Sequence, residues 1–261
     1  MTVLDQILKK VERRIRELDT EDLAPSPHAG SRSLEKAVTS TDGVSIIAEI
    51  KPSSPSAGRL GPSDPESVAE RAASYEKGGA CAVSVLTEPE FFDGSPELVR
   101  VVKETVDLPV LRKDFIVHRV QIEESAHYEA DAILLIAEVV EEDAPELVDT
   151  AHEHGLEVLL EFHDPSNIRY VVEANPDLVG VNSRDLRTLD VNVDRIPELA
   201  EKVGKELPGT PVVGESGVTG PEDVKALRDV VDAVLVGTHL MKAEDPERAV
   251  RELVKAGSGR G

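Results

Sequence analysis

Short apolar runs rich in Val, Ile and Leu recur along the chain, and between them apolar residues return at helical spacing. The runs predict strands over 44–50, 80–86, 110–112, 132–136, 157–160, 178–181, 212–214 and 233–236. Helices are predicted over 65–77, 96–105, 119–128, 142–153, 165–172, 196–202, 222–227 and 246–254. Several of these open on Pro, whose missing N–H costs nothing in a first turn. Asp64 is placed to cap the first of them, and Gly78-Gly79 to end it. Ahead of this pattern, Leu4, Ile7, Leu8, Val11, Ile15 and Leu18 share one helical face among charges, and that face must dock on something. A linker with Pro25, Pro27 and Gly30 and a short helical piece over 34–38 follow.

Eight strand–helix units point to an α/β fold, a (β/α)8 TIM barrel over 44–256, with an N-terminal helical extension over 1–43 and a loose tail over 257–261. The rival is an open doubly wound sheet. No G-x-G-x-x-G follows the first strand, which weakens its dinucleotide-binding version.

Composition narrows the partners. Asp and Glu number 51 against 29 Lys and Arg, a net charge of −22. Such a surface repels nucleic acid and anionic membrane, so neither is an expected partner. It is like that of proteins adapted to a salt-rich cytoplasm. Aromatics are only 3% of the 261 residues, so the core must be aliphatic. Cys81 is the single cysteine and sits in an apolar run, which predicts a buried thiol and no internal disulfide. The chain opens on a charged amphipathic segment rather than a signal peptide, and no apolar stretch is long enough to span a bilayer. A cytoplasmic location is expected.

Barrel active sites lie at the C-terminal ends of the strands, and charged residues collect there. Glu49 and Lys51 end the first strand, on one face of it because side chains alternate. Lys113 ends the third, Glu161 the fifth, Asn182 the sixth and Glu215 the seventh. Taken singly, each has a structural reading: an ion pair at a strand end, Lys113 paired with Asp114, Glu161 as a cap, Asn182 in a turn. Converging on one mouth, two lysines, several carboxylates and an amide make a proton-transfer site. Gly214 to Val218 and Val236 to Leu240 put small residues and hydroxyls after strands seven and eight, where barrels often hold phosphate. Phe91-Phe92 lies in the loop after strand two, either packing that loop or walling a flat ring. Metal binding has little support. His152 and His154 face different ways on a helix, His163 fits loop packing, and there is no H-E-x-x-H or cysteine pair.

Several stretches carry a resemblance: Glu49 to Ser56, Leu86-Thr87 through Phe92-Asp93-Gly94, Val110 to Phe115, Leu160-Glu161, Gly180 to Leu186 and Gly214 to Gly217. In this order and spacing the chain resembles indole-3-glycerol-phosphate synthase of tryptophan biosynthesis, over nearly its whole length. The resemblance implies ring closure of 1-(2-carboxyphenylamino)-1-deoxyribulose 5-phosphate with loss of carbon dioxide and water. It implies no cofactor and no metal, and often a monomer. It also implies roles. Lys113 would be the acid at the ketone oxygen, and Glu161 would work with Lys51 or Lys113 in the later proton transfers. Lys51, oriented by Glu49, would hold the substrate carboxylate with Arg184 nearby. Asn182 and Glu215 would bind sugar-derived hydroxyls. Ser54, Ser216, Gly217, Gly237 and Thr238 would surround the phosphate, and Phe92 and Phe115 would wall the ring. Phosphoribosylanthranilate isomerase is the nearest enzyme rival. It uses a cysteine at the end of strand one, where this chain has Lys51.

Overall fold

The computed structural model of the chain describes residues 2–18 and 23–259. Eight parallel strands close into a barrel: β1 (Ser45–Ile50), β2 (Ala82–Leu86), β3 (Val110–Lys113), β4 (Ala132–Ile136), β5 (Glu157–Phe162), β6 (Leu178–Asn182), β7 (Val212–Glu215) and β8 (Ala233–Val236). Each strand pairs with the next in sequence, and β8 pairs back onto β1. Helices return the chain between strands, including Pro65–Gly78, Glu97–Thr105, Arg119–His127, Arg195–Glu206 and Pro246–Gly257.

Strand alternation sorts the side chains into two cores. Ile46, Val83, Val110, Leu160, Val179 and Val234 pack with the helices. Ile47, Leu111, Leu159, Leu178, Val213 and Leu235 fill the barrel interior. Two residues further along the same inward rows the side chains turn polar or vanish: Ile47 gives way to Glu49, Leu111 to Lys113, Leu159 to Glu161, Val213 to Glu215, Leu235 to Gly237. The barrel is therefore oil below and charge above, within single strands.

That layering explains where the sequence boundaries fall short. β3, β5, β6 and β7 each run one or two residues past their apolar run, through Lys113, Phe162, Asn182 and Glu215. A charged residue ends an apolar pattern, yet here it continues the inward row into a polar cavity. β2 begins at Ala82, so Cys81 lies just outside it, with burial pushing its thiol up to about 12. The helix predicted over 142–153 is a 3-10 turn followed by Ala144–Glu153, and the one over 165–172 is a 3-10 turn followed by Ile168–Ala174. The short helices Pro89–Phe92, Ala137–Val140 and Thr238–Met241 have too few residues to show a period. The segment from 257 is not loose throughout. Gly257 is buried in the last helix and accepts from Val44 N at 3.1 Å, and Arg228 donates to the Gly259 carbonyl at 2.6 Å. Residues 260–261 lie outside the described part.

The extension holds both ends of the barrel. α1 (Val3–Glu17) starts in a capping box between Thr2 and Asp5. It buries Leu4, Ile7 and Val11 in the same cluster as the barrel interior. Arg14 reaches Asp114, just past β3, at 2.9 Å, and Lys10 reaches Glu90, past β2, at 2.6 Å, so α1 lies over the C-terminal end. α2 (Leu34–Val38) covers the other end. The carbonyl of Val38 accepts from Ser45 Oγ at 2.7 Å, and Glu35 N donates to Glu157 at 2.8 Å, both partners being first residues of strands.

Candidate active site

At the C-terminal end of the barrel lies a cavity of about 540 Å³. This is within the range of small-molecule sites. The residues to which the resemblance gives roles line it: Glu49, Lys51, Ser54, Phe92, Lys113, Phe115, Glu161, Asn182, Arg184, Glu215, Ser216, Gly217, Gly237 and Thr238, whereas Phe91 does not.

The charged groups form two adjoining sets. Lys113 Nζ sits between two carboxylates, 2.7 Å from Glu215 Oε2 and 3.1 Å from Glu161 Oε2. It does not pair with Asp114, the structural partner considered from sequence. Glu161 Oε1 accepts from Asn182 Nδ2 at 3.2 Å. Beside this set, Lys51 Nζ lies 2.7 Å from Glu49 Oε1. The carboxylates are almost wholly buried, while each ammonium keeps some access to the cavity.

Burial and charge act against each other here. Burial opposes the charge on Lys113, but Glu161, Glu215 and Glu49 outweigh it and raise its pKa, so it is an ammonium at neutral pH. Glu215 goes the other way. Burial first, then the neighbouring Glu161, raise its pKa to about 8 against the pull of Lys113. It therefore keeps its proton to higher pH than an ordinary carboxylate does. Its Oε1 is buried with no hydrogen-bond partner. Burial lowers the pKa of Arg184, with Glu49 opposing, and its guanidinium donates to the Leu189 carbonyl at 2.8 Å.

The remaining walls are apolar. Phe92 and Phe115 stand 6.1 Å apart between ring centroids, tilted by 38°. Val3, Leu4 and Ile7 of α1 complete that side. Sequence reading foresaw a docked helix but not which of its residues reach the site. It also missed Leu186, Leu189 and Val191, which line the cavity from the loop after β6. Apolar residues recurring in an otherwise polar and charged loop, Val193 among them, were the available signal. Ser216 and Gly217, both lining the cavity, take positive φ, so the turn after β7 runs through the left-handed region.

A buried polar network backs the site. Arg112, fully buried, donates to Glu124 at 2.6 Å, to Asp114 at 3.0 Å and to Thr87 at 3.2 Å. Asp114 also accepts from Thr87 at 2.8 Å and from Arg14 at 2.9 Å. Burial opposes the charge on Asp114, but the two guanidiniums hold its carboxyl below the usual range. His163 stays out of the cavity. Its Nε2 must accept from Arg195, 2.8 Å away, because a guanidinium only donates. Its Nδ1 therefore donates to the Asn182 carbonyl at 2.9 Å and braces that residue from behind. Among the described residues, no group of three or more His, Cys, Asp or Glu side chains could hold a metal ion, and no helix is long and apolar enough to cross a membrane.

The profile described as indole-3-glycerol phosphate synthase matches residues 2–253. The chain belongs to the indole-3-glycerol phosphate synthase family. Its relatives among indole-3-glycerol phosphate synthases include that of Methanopyrus kandleri, 59% identical over 97% of this chain and 98% of the relative. That of Aquifex aeolicus is 44% identical over 84% of each chain. The family's barrel is shared more widely. A solved structure of tryptophan synthase from M. tuberculosis, aminoacrylate-bound, superposes with a TM-score of 0.65 at 15% identity, covering 85% of this chain and 97% of that one. The structure of KGPDC from Streptococcus mutans gives 0.63 at 14%, over 82% and 97%. At such identities the likeness is one of fold alone.

Proposed function

We propose that this cavity performs the reaction of its family, with Lys113 as general acid. The substrate, 1-(2-carboxyphenylamino)-1-deoxyribulose 5-phosphate, closes a ring and loses carbon dioxide and water to give indole-3-glycerol phosphate. The observation that carries the assignment is the Lys113 ammonium held between Glu161 and Glu215 on the cavity wall. To donate a proton a lysine must be an ammonium before the reaction, and the surrounding acidic groups, Glu161 foremost, keep Lys113 so at neutral pH.

The apolar side made by Phe92, Phe115 and α1 takes the aromatic ring. Lys51, oriented by Glu49, meets the substrate carboxylate, with Arg184 on the same side. Ser54 and the turns at Ser216-Gly217 and Gly237-Thr238 surround the phosphate. As the ring carbon attacks the ketone carbon, Lys113 gives its proton to the ketone oxygen. Carbon dioxide then leaves, and with a proton given by the Lys51 ammonium the new hydroxyl departs as water, pushed by the nitrogen lone pair. Glu161, aligned by Asn182, receives the last carbon-bound proton. Glu215 and Asn182 bind the sugar-derived hydroxyls.

The test is turnover of that substrate, followed by indole fluorescence, in high salt to screen the acidic surface. Wild-type chain is expected to form product. Lys113→Ala and Glu161→Ala are expected to fold and to lose about 10²–10⁴-fold in kcat. No product from folded wild-type protein refutes the reaction, and full rates in both variants refute the residue roles.

A further inference from the structure

Two glycines on the inward rows of the barrel have a job that backbone conformation does not explain. Neither Gly180 nor Gly237 has positive φ, so the left-handed region that favours glycine accounts for neither. Gly180 lies within β6, where glycine weakens a strand relative to alanine. A glycine there marks a close approach by something else.

The space each one leaves empty is filled by a carboxylate. A Cβ on Gly237 would collide with Glu49 Oε1, the oxygen that holds Lys51, and would sit 2.9 Å from Lys51 Nζ. A Cβ on Gly180 would collide with Glu215 Oε1 and lie 2.8 Å from Glu161 Cβ. These are the two carboxylates that hold Lys113. Gly180 pairs with Glu161 in register, so the strand backbone cannot retreat without breaking the ladder. The same arrangement thus occurs twice, once under each lysine.

We infer that Gly180 and Gly237 are positioning residues, each vacating the side-chain volume into which a carboxylate folds to hold Lys113 or Lys51 in place. Gly237 then acts on the lysine side of the cavity as well as lending its backbone to the phosphate turn. The inference rests on the assignment of Lys51 and Lys113 above.

Two double-mutant cycles test it, with the family substrate for rates and inorganic phosphate as a competitive probe of the turns. Gly237→Ala is expected to lower kcat/KM by about 10²-fold while the phosphate inhibition constant stays within about threefold. In a Glu49→Asp background the colliding oxygen is withdrawn, and the same alanine is expected to cost less than about fivefold. Equal cost in both backgrounds, or a phosphate constant that weakens with kcat/KM, overturns the proposal for Gly237. Gly180→Ala is expected to lower kcat about 10²-fold with KM within about threefold, and to cost about tenfold less when Glu215 is already Asp. An unchanged kcat, or equal cost in both backgrounds, overturns it for Gly180. Cooperative thermal unfolding is followed for every variant. An alanine variant that folds only beside the shortened carboxylate supports the collision, and one that stays unfolded in both backgrounds overturns it. Lys51→Ala and Lys113→Ala separate the two levels. Full rates in these overturn the lysine assignment, whereas inactive lysine variants beside fully active alanine variants overturn the recess alone.

Discussion

Arg14 is the clearest place to ask whether the N-terminal extension is part of the site or only packed near it. Its Nη2 lies 2.9 Å from Asp114 Oδ2, an oxygen that also accepts from Arg112 and Thr87. Asp114 stands next to Lys113 in sequence and is fully buried. Removing the only partner of a buried charge costs about 3–5 kcal/mol. Here Arg112 remains, so the loss reduces to one charge-assisted hydrogen bond, about 1.5–3 kcal/mol. The Arg14 side chain is 22% exposed. Solvent screening brings the figure to the lower end, about 1.5 kcal/mol. Arg14→Met keeps the apolar stem and removes only the charge. If substrate binds only with α1 docked, weakening the dock by that amount raises KM by up to about tenfold. Lys113 and Glu161 stand on the barrel, so kcat is expected to stay within about threefold. Steady-state kinetics over a range of substrate concentrations read both constants. A KM within about twofold of wild type, with a lowered melting temperature, would refute the reasoning: α1 would then stabilise the fold without completing the site. A fall in kcat at constant KM would instead trace the effect through Asp114 to Lys113.

Three further outcomes are expected. Removing residues 2–18, and so α1 alone, should raise KM more than Arg14→Met does; a longer deletion through 36 would also remove Leu34 and unplug the far end, so loss of fold there says nothing about the site. Because Glu215 titrates near 8 in the folded chain and at about 4.3 when unfolded, its protonation stabilises the fold below its unfolded value, and that contribution is lost as pH rises towards 8. Urea unfolding of wild type should therefore weaken from pH 5 to 8, and Glu215→Gln should flatten that slope; an equal slope in both counts against the buried proton. Arg112→Met leaves Asp114 and Glu124 buried with less counter-charge and should destabilise by about 3–5 kcal/mol in the same assay, with Arg112→Lys failing to restore the lost contacts.

Much of this site was legible before any coordinates. The apolar runs located eight strands, and the strands located the mouth. Reading Lys113, Glu161, Asn182 and Glu215 as strand ends was enough to converge them, because alternation leaves an inward residue two places beyond each core residue inward as well. Where the reading fell short, the cause was the same local rule. A period seen through apolar residues stops at the first charge, so it ended β5 at Leu160 rather than at Phe162. It could say nothing of four-residue helices such as Pro89–Phe92, which packs against α1 through Glu90.

The sequence by itself determined the repeating order of elements, the face each strand turns inward, and the chemical types gathered at one end. Those follow from local periodicity and from covalent spacing along single strands. Only the tertiary structure decided partnership. Lys113 could have paired with its neighbour Asp114; in the folded chain Asp114 is claimed by Arg112 and Arg14, and Lys113 turns to Glu161 and Glu215, on strands far away in sequence. Only closure of the barrel buries Glu215 beside Glu161 and so raises its pKa. Distances across a closed barrel depend on strand tilt and stagger, which no stretch of sequence encodes alone.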